Sequence, residues 1–144
     1  MTSTMNLAAS EKARVLDSAR KALLHAYAPY SGVKVGAAVL TGKGQVYSGG
    51  NVENASSGLT LCAERAAIAV AVAAEGPKMR IRALAVVSGQ AGPFPPCGAC
   101  RQVMYEFGPE ALVLFQGEDG LTQASITELL PHAFRLSGQA FENH

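Results

Sequence analysis

Three cysteines and one glutamate carry the chemistry that can be read in this chain. They stand as Cys62-Ala63-Glu64 and, further on, as Pro96-Cys97-Gly98-Ala99-Cys100. An odd number of cysteines argues against a disulfide framework and for a reducing compartment. Both segments open runs with helical character. At a helix start, free N–H groups and the positive dipole end favour thiolate over thiol. Two such starts facing each other would bring Cys62, Cys97 and Cys100 onto one Zn²⁺ ion. Three protein ligands leave a fourth tetrahedral position for water, the pattern of catalytic zinc, whereas structural sites are closed by four. His25, His132 and His144 have no ligand-like spacing to the cysteines and are expected to be structural or exposed.

Glu64 follows Cys62 by two positions, so its carboxylate can reach the open face of such a metal without ligating it. A general acid/base that takes and returns protons belongs there. Three thiolates outweigh the zinc charge and weaken it as a Lewis acid. Arg65 can hydrogen-bond the sulfurs and restore some positive character. Without Glu64, the C-x-x-C pair would fit a redox motif or two buried core thiols as well. A structural-zinc or thiol–disulfide module without catalysis is therefore the alternative from another class. Zinc content and a thiol count separate the two.

The elements that must position these residues follow from periodicity. Ser10 is suited to cap a helix, with Glu11 in its first turn, and Val15, Leu16, Ala19, Ala22, Leu23, Ala26 and Tyr27 recur on one face until Pro29. Val33 to Leu40 and Gln45 to Ser48 form a hairpin around Gly42-Lys43-Gly44, with Gly49-Gly50 as a break. Asn51 to Gly58 is a polar loop. Thr60 to Ala74 is apolar after Arg65 and is expected to be a buried helix. Ile81 to Val87 and Ala111 to Phe115 are apolar strands, Gly89 to Pro96 a loop, and Gly98 to Phe107 a helix. A weak strand near Thr122 and a short helix capped by Ser125 complete the chain. This order predicts an α/β layered domain with a mixed sheet between helices.

The 144 residues suit one domain with a real core, spanning 1–144 with a loose start over 1–9. Hydrophobic residues make up 49% and charged residues 16%, which excludes a disordered chain. Twelve Lys+Arg against eleven Asp+Glu leave a net charge of +1, without the basic excess that tracks a polyanion. Nucleic-acid and membrane partners are therefore not expected. The longest apolar runs are too short to span a bilayer. With no charged n-region ahead of an apolar stretch, the expected location is cytoplasmic.

His-or-Cys-x-Glu followed by Pro-Cys-x-x-Cys is the signature of zinc-dependent nucleobase deaminases. Around it the likeness widens. Ala28-Pro29-Tyr30-Ser31, Val35-Gly36-Ala37-Ala38, Asn51-Val52-Glu53-Asn54-Ala55, Cys62 to Arg65, Pro96 to Val103 and Glu128-Leu129-Leu130-Pro131 follow in order. Over Ala26 to Phe134 the chain resembles the short, homotetrameric cytidine deaminases. The resemblance implies a three-layer α/β sandwich built on a five-stranded mixed sheet flanked by helices, with one zinc ion per chain. It matches Cys62, Cys97 and Cys100 to the zinc ligands and Glu64 to the proton shuttle. Asn51 and Glu53 match a pair that binds the ribose hydroxyl, and Ala63 supplies backbone contacts to the pyrimidine or the attacking hydroxide. Phe134 resembles an aromatic that closes a neighbouring subunit's site.

The implied activity is hydrolytic deamination of cytidine or deoxycytidine to uridine or deoxyuridine in pyrimidine salvage, by a homotetramer. The alternative is a deaminase of a modified cytidine, a related aminopyrimidine nucleoside or a nucleoside antibiotic such as blasticidin S. Two positions depart from the family pattern. Val33 stands where an aromatic is usual, and Ser57 where a Tyr is frequent at a subunit contact. Both departures predict a wider and less aromatic pocket.

Overall fold

Alternation along the strands decides the architecture. In the computed structural model, which describes residues 6–136, strand β1 (Val35–Thr41) is buried over its whole length. Ala37 and Val39 join one apolar core, while Ala38 and Leu40 join a second on the opposite face. Strands β3 (Ile81–Ser88) and β4 (Leu112–Gly117) divide likewise: Leu84, Val86, Val113 and Phe115 point one way, Ala83, Ala85, Leu112 and Leu114 the other. A sheet buried on both faces needs helices on both. With β2 (Val46–Gly50) and β5 (Gly120–Ser125), the five strands take the order β2-β1-β3-β4-β5. Only β3 and β4 pair in parallel; the other neighbours are antiparallel.

Helix α1 (Ala9–Leu23) covers one face through Val15, Leu16 and Ala19. Helices α2 (Ala63–Glu75) and α3 (Gly98–Phe107) cover the other, and α4 (Ile126–Leu129) adds Ile126 to the same core. The side taken by α2 and α3 follows from topology. Strands β2, β3 and β4 run in the same direction, and the crossovers β2–α2–β3 and β3–α3–β4 both step towards β5. Two crossovers of one hand stepping the same way must lie on the same face. Their helices begin where β2 and β3 end, which puts the two cysteine segments at one end of the sheet. Met104, fully buried under α3, locks that helix down; burial of such a side chain contributes about 1.5–3 kcal/mol.

Three expectations change. Helix α1 stops at Leu23 instead of running to Tyr27, because the Tyr27 backbone is claimed by the Asn51 loop. Tyr27 N–H donates to the Asn51 carbonyl at 2.9 Å and its carbonyl accepts from Glu53 N–H at 2.9 Å. The start of α1 also shifts: Ala8 is the N-cap, Ser10 lies inside, and the Glu11 carboxylate accepts from the Ala8 N–H at 3.0 Å. Gly49 and Gly50 belong to β2. A Cβ on Gly49 would lie 2.8 Å from Ala66 Cβ and from Ala67 N, so the glycine admits α2 onto the strand and does not break it. Helix α2 itself buries only Ala63, Glu64, Ala67, Ile68 and Ala71, and leaves Ala69, Val70, Ala73 and Ala74 exposed on the single chain. Residues 1–5, which hold most of the expected loose start, and His144 lie outside the described residues.

Candidate active site

The two helix starts face each other at one end of the sheet. Cys62 is the N-cap of α2 and Cys97 the N-cap of α3, with Cys100 in the first turn of the latter. Their three sulfur atoms lie within 4.8 Å of one another. Cys97 and Cys100 Sγ are 3.4 Å apart, and the Cys100 N–H donates to Cys97 Sγ at 3.5 Å. All three thiols are free; Cys100 is buried, Cys62 half-buried and Cys97 exposed. Three soft sulfur donors at this spacing, from two rigid helix ends, fit a zinc ion. Neither His25 nor His132 joins the cluster, and both are exposed.

Charge is managed within the same turn. Arg65 Nη2 donates to Cys62 Sγ at 3.3 Å, while its buried Nε has no partner among the described residues. That orphaned N–H beside the sulfur cluster is a further mark of a site built for an anionic, metal-binding thiolate set. The Cys62 thiol is pulled down to about 5 by hydrogen bonds from Cys100 and Arg65. Cys100 moves the other way, raised by its bond to Cys62 and by burial. One shared proton between neighbouring thiols explains the opposite shifts. Arg65 is held more firmly protonated by the two sulfurs it faces.

Glu64 is 3% exposed. Burial and the negative Cys62 sulfur push its carboxyl up to about 7, inside the range where a carboxyl can both take and give a proton near neutrality. It lines a cavity of about 440 Å³ together with Val33, Asn51, Cys62, Ala63 and Cys97. These six residues, all singled out in the sequence, therefore share one cavity. Cys100 sits behind them in the thiol cluster, and Arg65 lies beside Cys62.

Asn51 is a brace as well as a wall. Its Oδ1 accepts from the Val35 N–H at 2.9 Å and its Nδ2 donates to the Val33 carbonyl at 3.0 Å, which leaves the second amide hydrogen to spare. Glu53 lies one layer further out. Its carboxylate accepts from the N–H groups of Tyr30 (2.9 Å) and Ser31 (3.1 Å) and from the Ser31 hydroxyl. The Ser31 hydroxyl bond, more than any other contact, holds the Glu53 carboxyl below its ordinary range. Ser31, which lines the cavity, carries Glu53's influence to it. Phe134 is 68% exposed, far from any closing role within its own chain; its carbonyl accepts from Gln102 Nε2 at 2.8 Å. Ser57 sits exposed on a short 3₁₀ turn, Ser57–Leu59.

Two residues were missed in the sequence. Arg101 donates through Nε to the Pro96 carbonyl and through Nη1 to the Leu129 carbonyl, each at 2.8 Å, and so pins the Cys97 turn to α4. The Arg immediately after Cys100 was visible, but its partners are remote in sequence. Phe94 lines the cavity from the loop before Cys97 and gives it an aromatic wall that Val33 does not. The expectation of a less aromatic pocket is corrected to that extent.

A profile of the cytidine and deoxycytidylate deaminase zinc-binding region matches residues 9–116. The chain belongs to this family. It is 48% identical over 111 residues to a cytidine deaminase of Halalkalibacterium halodurans, covering 76% of this chain and 83% of that one. A crystal structure of cytidine deaminase from Burkholderia pseudomallei superposes with a TM-score of 0.75 at 47% identity, covering 85% of this chain and 98% of that one. A cytidine deaminase structure from Mycobacterium tuberculosis gives 0.76 at 41%, over 87% and 98%. More distantly, a blasticidin-S deaminase from Bacillus cereus is 33% identical over 67% of this chain and 74% of that one. The deaminase fold and the zinc-binding thiol set thus agree with the geometry above.

Proposed function

We propose that this chain is a zinc-dependent cytidine deaminase that hydrolyses cytidine or deoxycytidine to uridine or deoxyuridine and ammonia. The observation that carries this reading is a buried carboxyl, Glu64, placed in one cavity with Cys62, Cys97 and Asn51. Cys62, Cys97 and Cys100 would hold the zinc, whose chemistry is to lower the pKa of water and polarise the attacking oxygen. Glu64 Oε then does the proton work. Near neutrality it takes one proton from the attacking water and delivers it to N3 of the ring. As the C4–N4 bond breaks it moves the proton of the new C4 hydroxyl to the amine, which leaves as ammonia while C4 becomes a carbonyl. Burial keeps bulk water from competing for that proton. The spare Nδ2 hydrogen of Asn51 would meet a sugar hydroxyl, a role supported by its place on the cavity wall, and Glu53 orients the Ser31 turn at the same rim. The Ala63 backbone, at the start of α2, offers contacts to the ring.

Self-association completes the reading, as a homotetramer in pyrimidine salvage in the cytoplasm. It is supported by the apolar outer face of α2 at Ala69, Val70, Ala73 and Ala74, and by Phe134, whose exposed ring is free to serve a neighbouring copy. Among the described residues, no helix is long and apolar enough to cross a membrane. The likeness to blasticidin-S deaminase sets the second substrate worth assaying. The deciding experiment is an ultraviolet assay of the zinc-loaded protein with cytidine and, in parallel, blasticidin S. Loss of cytidine absorbance with ammonia release is expected. Turnover of blasticidin S alone would move the assignment to the antibiotic, and turnover of neither would refute it.

A further inference from the structure

Phe94 supplies the aromatic surface of the cavity that holds Glu64, Asn51 and Cys62. Its backbone is fixed on both sides. The Phe94 N–H donates to the Gln116 carbonyl on β4 at 2.8 Å, and Pro95-Pro96 follow. A residue before proline is confined to extended backbone, so Phe94 has little freedom to swing away. Arg101 anchors the next link by donating to the Pro96 carbonyl at 2.8 Å. The ring is half-buried and packs against the core together with Val33. Phe94 and Gln90 also line a second cavity, of about 450 Å³, bounded by Leu16 and Arg20 of α1. The loop therefore stands as a partition with open space on two sides. A phenylalanine serving only to fill the core would be enclosed; this one keeps part of its surface open to the reactive cavity.

The rest of that cavity suits a flat heteroaromatic ring. Val33 gives apolar contact, and the polar groups of Glu64 and Asn51 stand where ring-edge and sugar groups would be met. We propose that Phe94 is the specificity-determining residue that stacks on the pyrimidine, an inference that rests on the nucleoside-deaminase reading above. The role expected of an aromatic at position 33 is then carried from the loop before Cys97, which frees Val33 to be small.

The chain contains no tryptophan, which allows a direct optical test. In zinc-loaded Phe94→Trp, the introduced indole is the sole tryptophan emitter, and titration with uridine, which undergoes no turnover, should quench it saturably. Phe94→Leu keeps apolar bulk but removes the π-face; KM for cytidine and Kd for uridine should rise about 5- to 150-fold, the span of base–aromatic stacking. Phe94→Tyr should stay within about threefold of the parent, since it keeps the ring. Zinc content should be unchanged in all three. Indole emission unmoved at uridine concentrations that calorimetry shows to be saturating would overturn the proposal. So would a folded Phe94→Leu variant with parental KM and Kd. Should Phe94→Leu fail to fold, the fluorescence titration decides alone. A parent protein that neither converts cytidine nor binds uridine would sink the nucleoside reading instead.

Discussion

At the start of α2, Cys62 is followed three positions later by Arg65, whose guanidinium donates to the Cys62 sulfur at 3.3 Å. At the start of α3, Cys97 is followed four positions later by Arg101, whose guanidinium turns from sulfur to two main-chain carbonyls. The sulfur of Cys97 takes its hydrogen bond from the helix itself, through the Cys100 N–H, whereas Cys62 receives no such cap. One arginine therefore balances charge and the other holds shape. Two helix ends of similar composition divide the tasks of a metal site, and only α2 adds a proton carrier. Substitutions at the two ends should then fail in different ways.

The sharpest contrast is Glu64→Gln. The amide keeps the size and part of the hydrogen bonding of the carboxyl but cannot carry protons. Turnover of cytidine should fall by well over about 10²-fold, while zinc content and melting temperature stay at parental values. Activity within tenfold of the parent, measured on metal-loaded protein, would show that proton transfer is not confined to the α2 end.

Arg65→Gln comes next. It removes the positive charge beside the thiolates without touching the main-chain bonds around Cys97. Groups of this kind, hydrogen-bonded to a metal's ligands, are worth about 10- to 100-fold in metal affinity or activity. The expected loss is in kcat or in zinc retention against a chelator, with little change in melting of the zinc-free protein. Arg101→Gln should show the reverse order. Its two bonds to Pro96 and Leu129 carbonyls, each a charged donor worth about 1.5–3 kcal/mol, support the fold whether or not metal is present. Melting of the zinc-free protein should drop, and cytidine turnover per bound zinc should change far less than in Arg65→Gln. Identical profiles for the two variants would erase the distinction between charge and shape.

How much of this division was legible in the sequence depends on the distance between partners. The thiol set and Glu64 could be placed because each segment is short and opens a helix, so spacing fixes the relation within each. The resemblance, and in the structure the crossover topology, joins the two. The start and end of α3 at Gly98 and Phe107 were read directly, since Pro96 and Gly108 frame a strong helical period. The Arg101 partners could not be read, because Leu129 reaches it only through the folding of α4 against α3. The end of α1 was missed for the same reason, its backbone being diverted to Asn51. Helix α2 gave a different difficulty. Its alanines carry no periodic contrast, so nothing in them distinguishes the face on the sheet from the face at Val70. Phe94 was hidden in a loop, where side-chain direction is set by contacts with β4 and not by any period.

The smallest expected effect lies at the far side of α3, where Gln102 Nε2 donates to the Phe134 carbonyl at 2.8 Å across an exposed gap. In a single chain this bond serves neither zinc nor cavity, and its loss in Gln102→Leu should cost the fold about 0.5–1.5 kcal/mol at most, the net value of one neutral bond. In an assembly the consequence differs. If the Phe134 ring closes a neighbouring copy's cavity, freeing its backbone loosens that closure, and KM for cytidine should rise by about two- to tenfold on the same energy scale with zinc content unchanged. Phe134→Ala should then raise KM at least as much, and adding the Gln102 substitution to it should do nothing more. Sedimentation at micromolar concentration gives the check from the other direction. A parent protein that runs as a monomer at concentrations where it turns over cytidine with an unchanged KM would detach Phe134 from the site, and α3 would be left with its two zinc-binding thiols and the Cys97 turn that Arg101 holds.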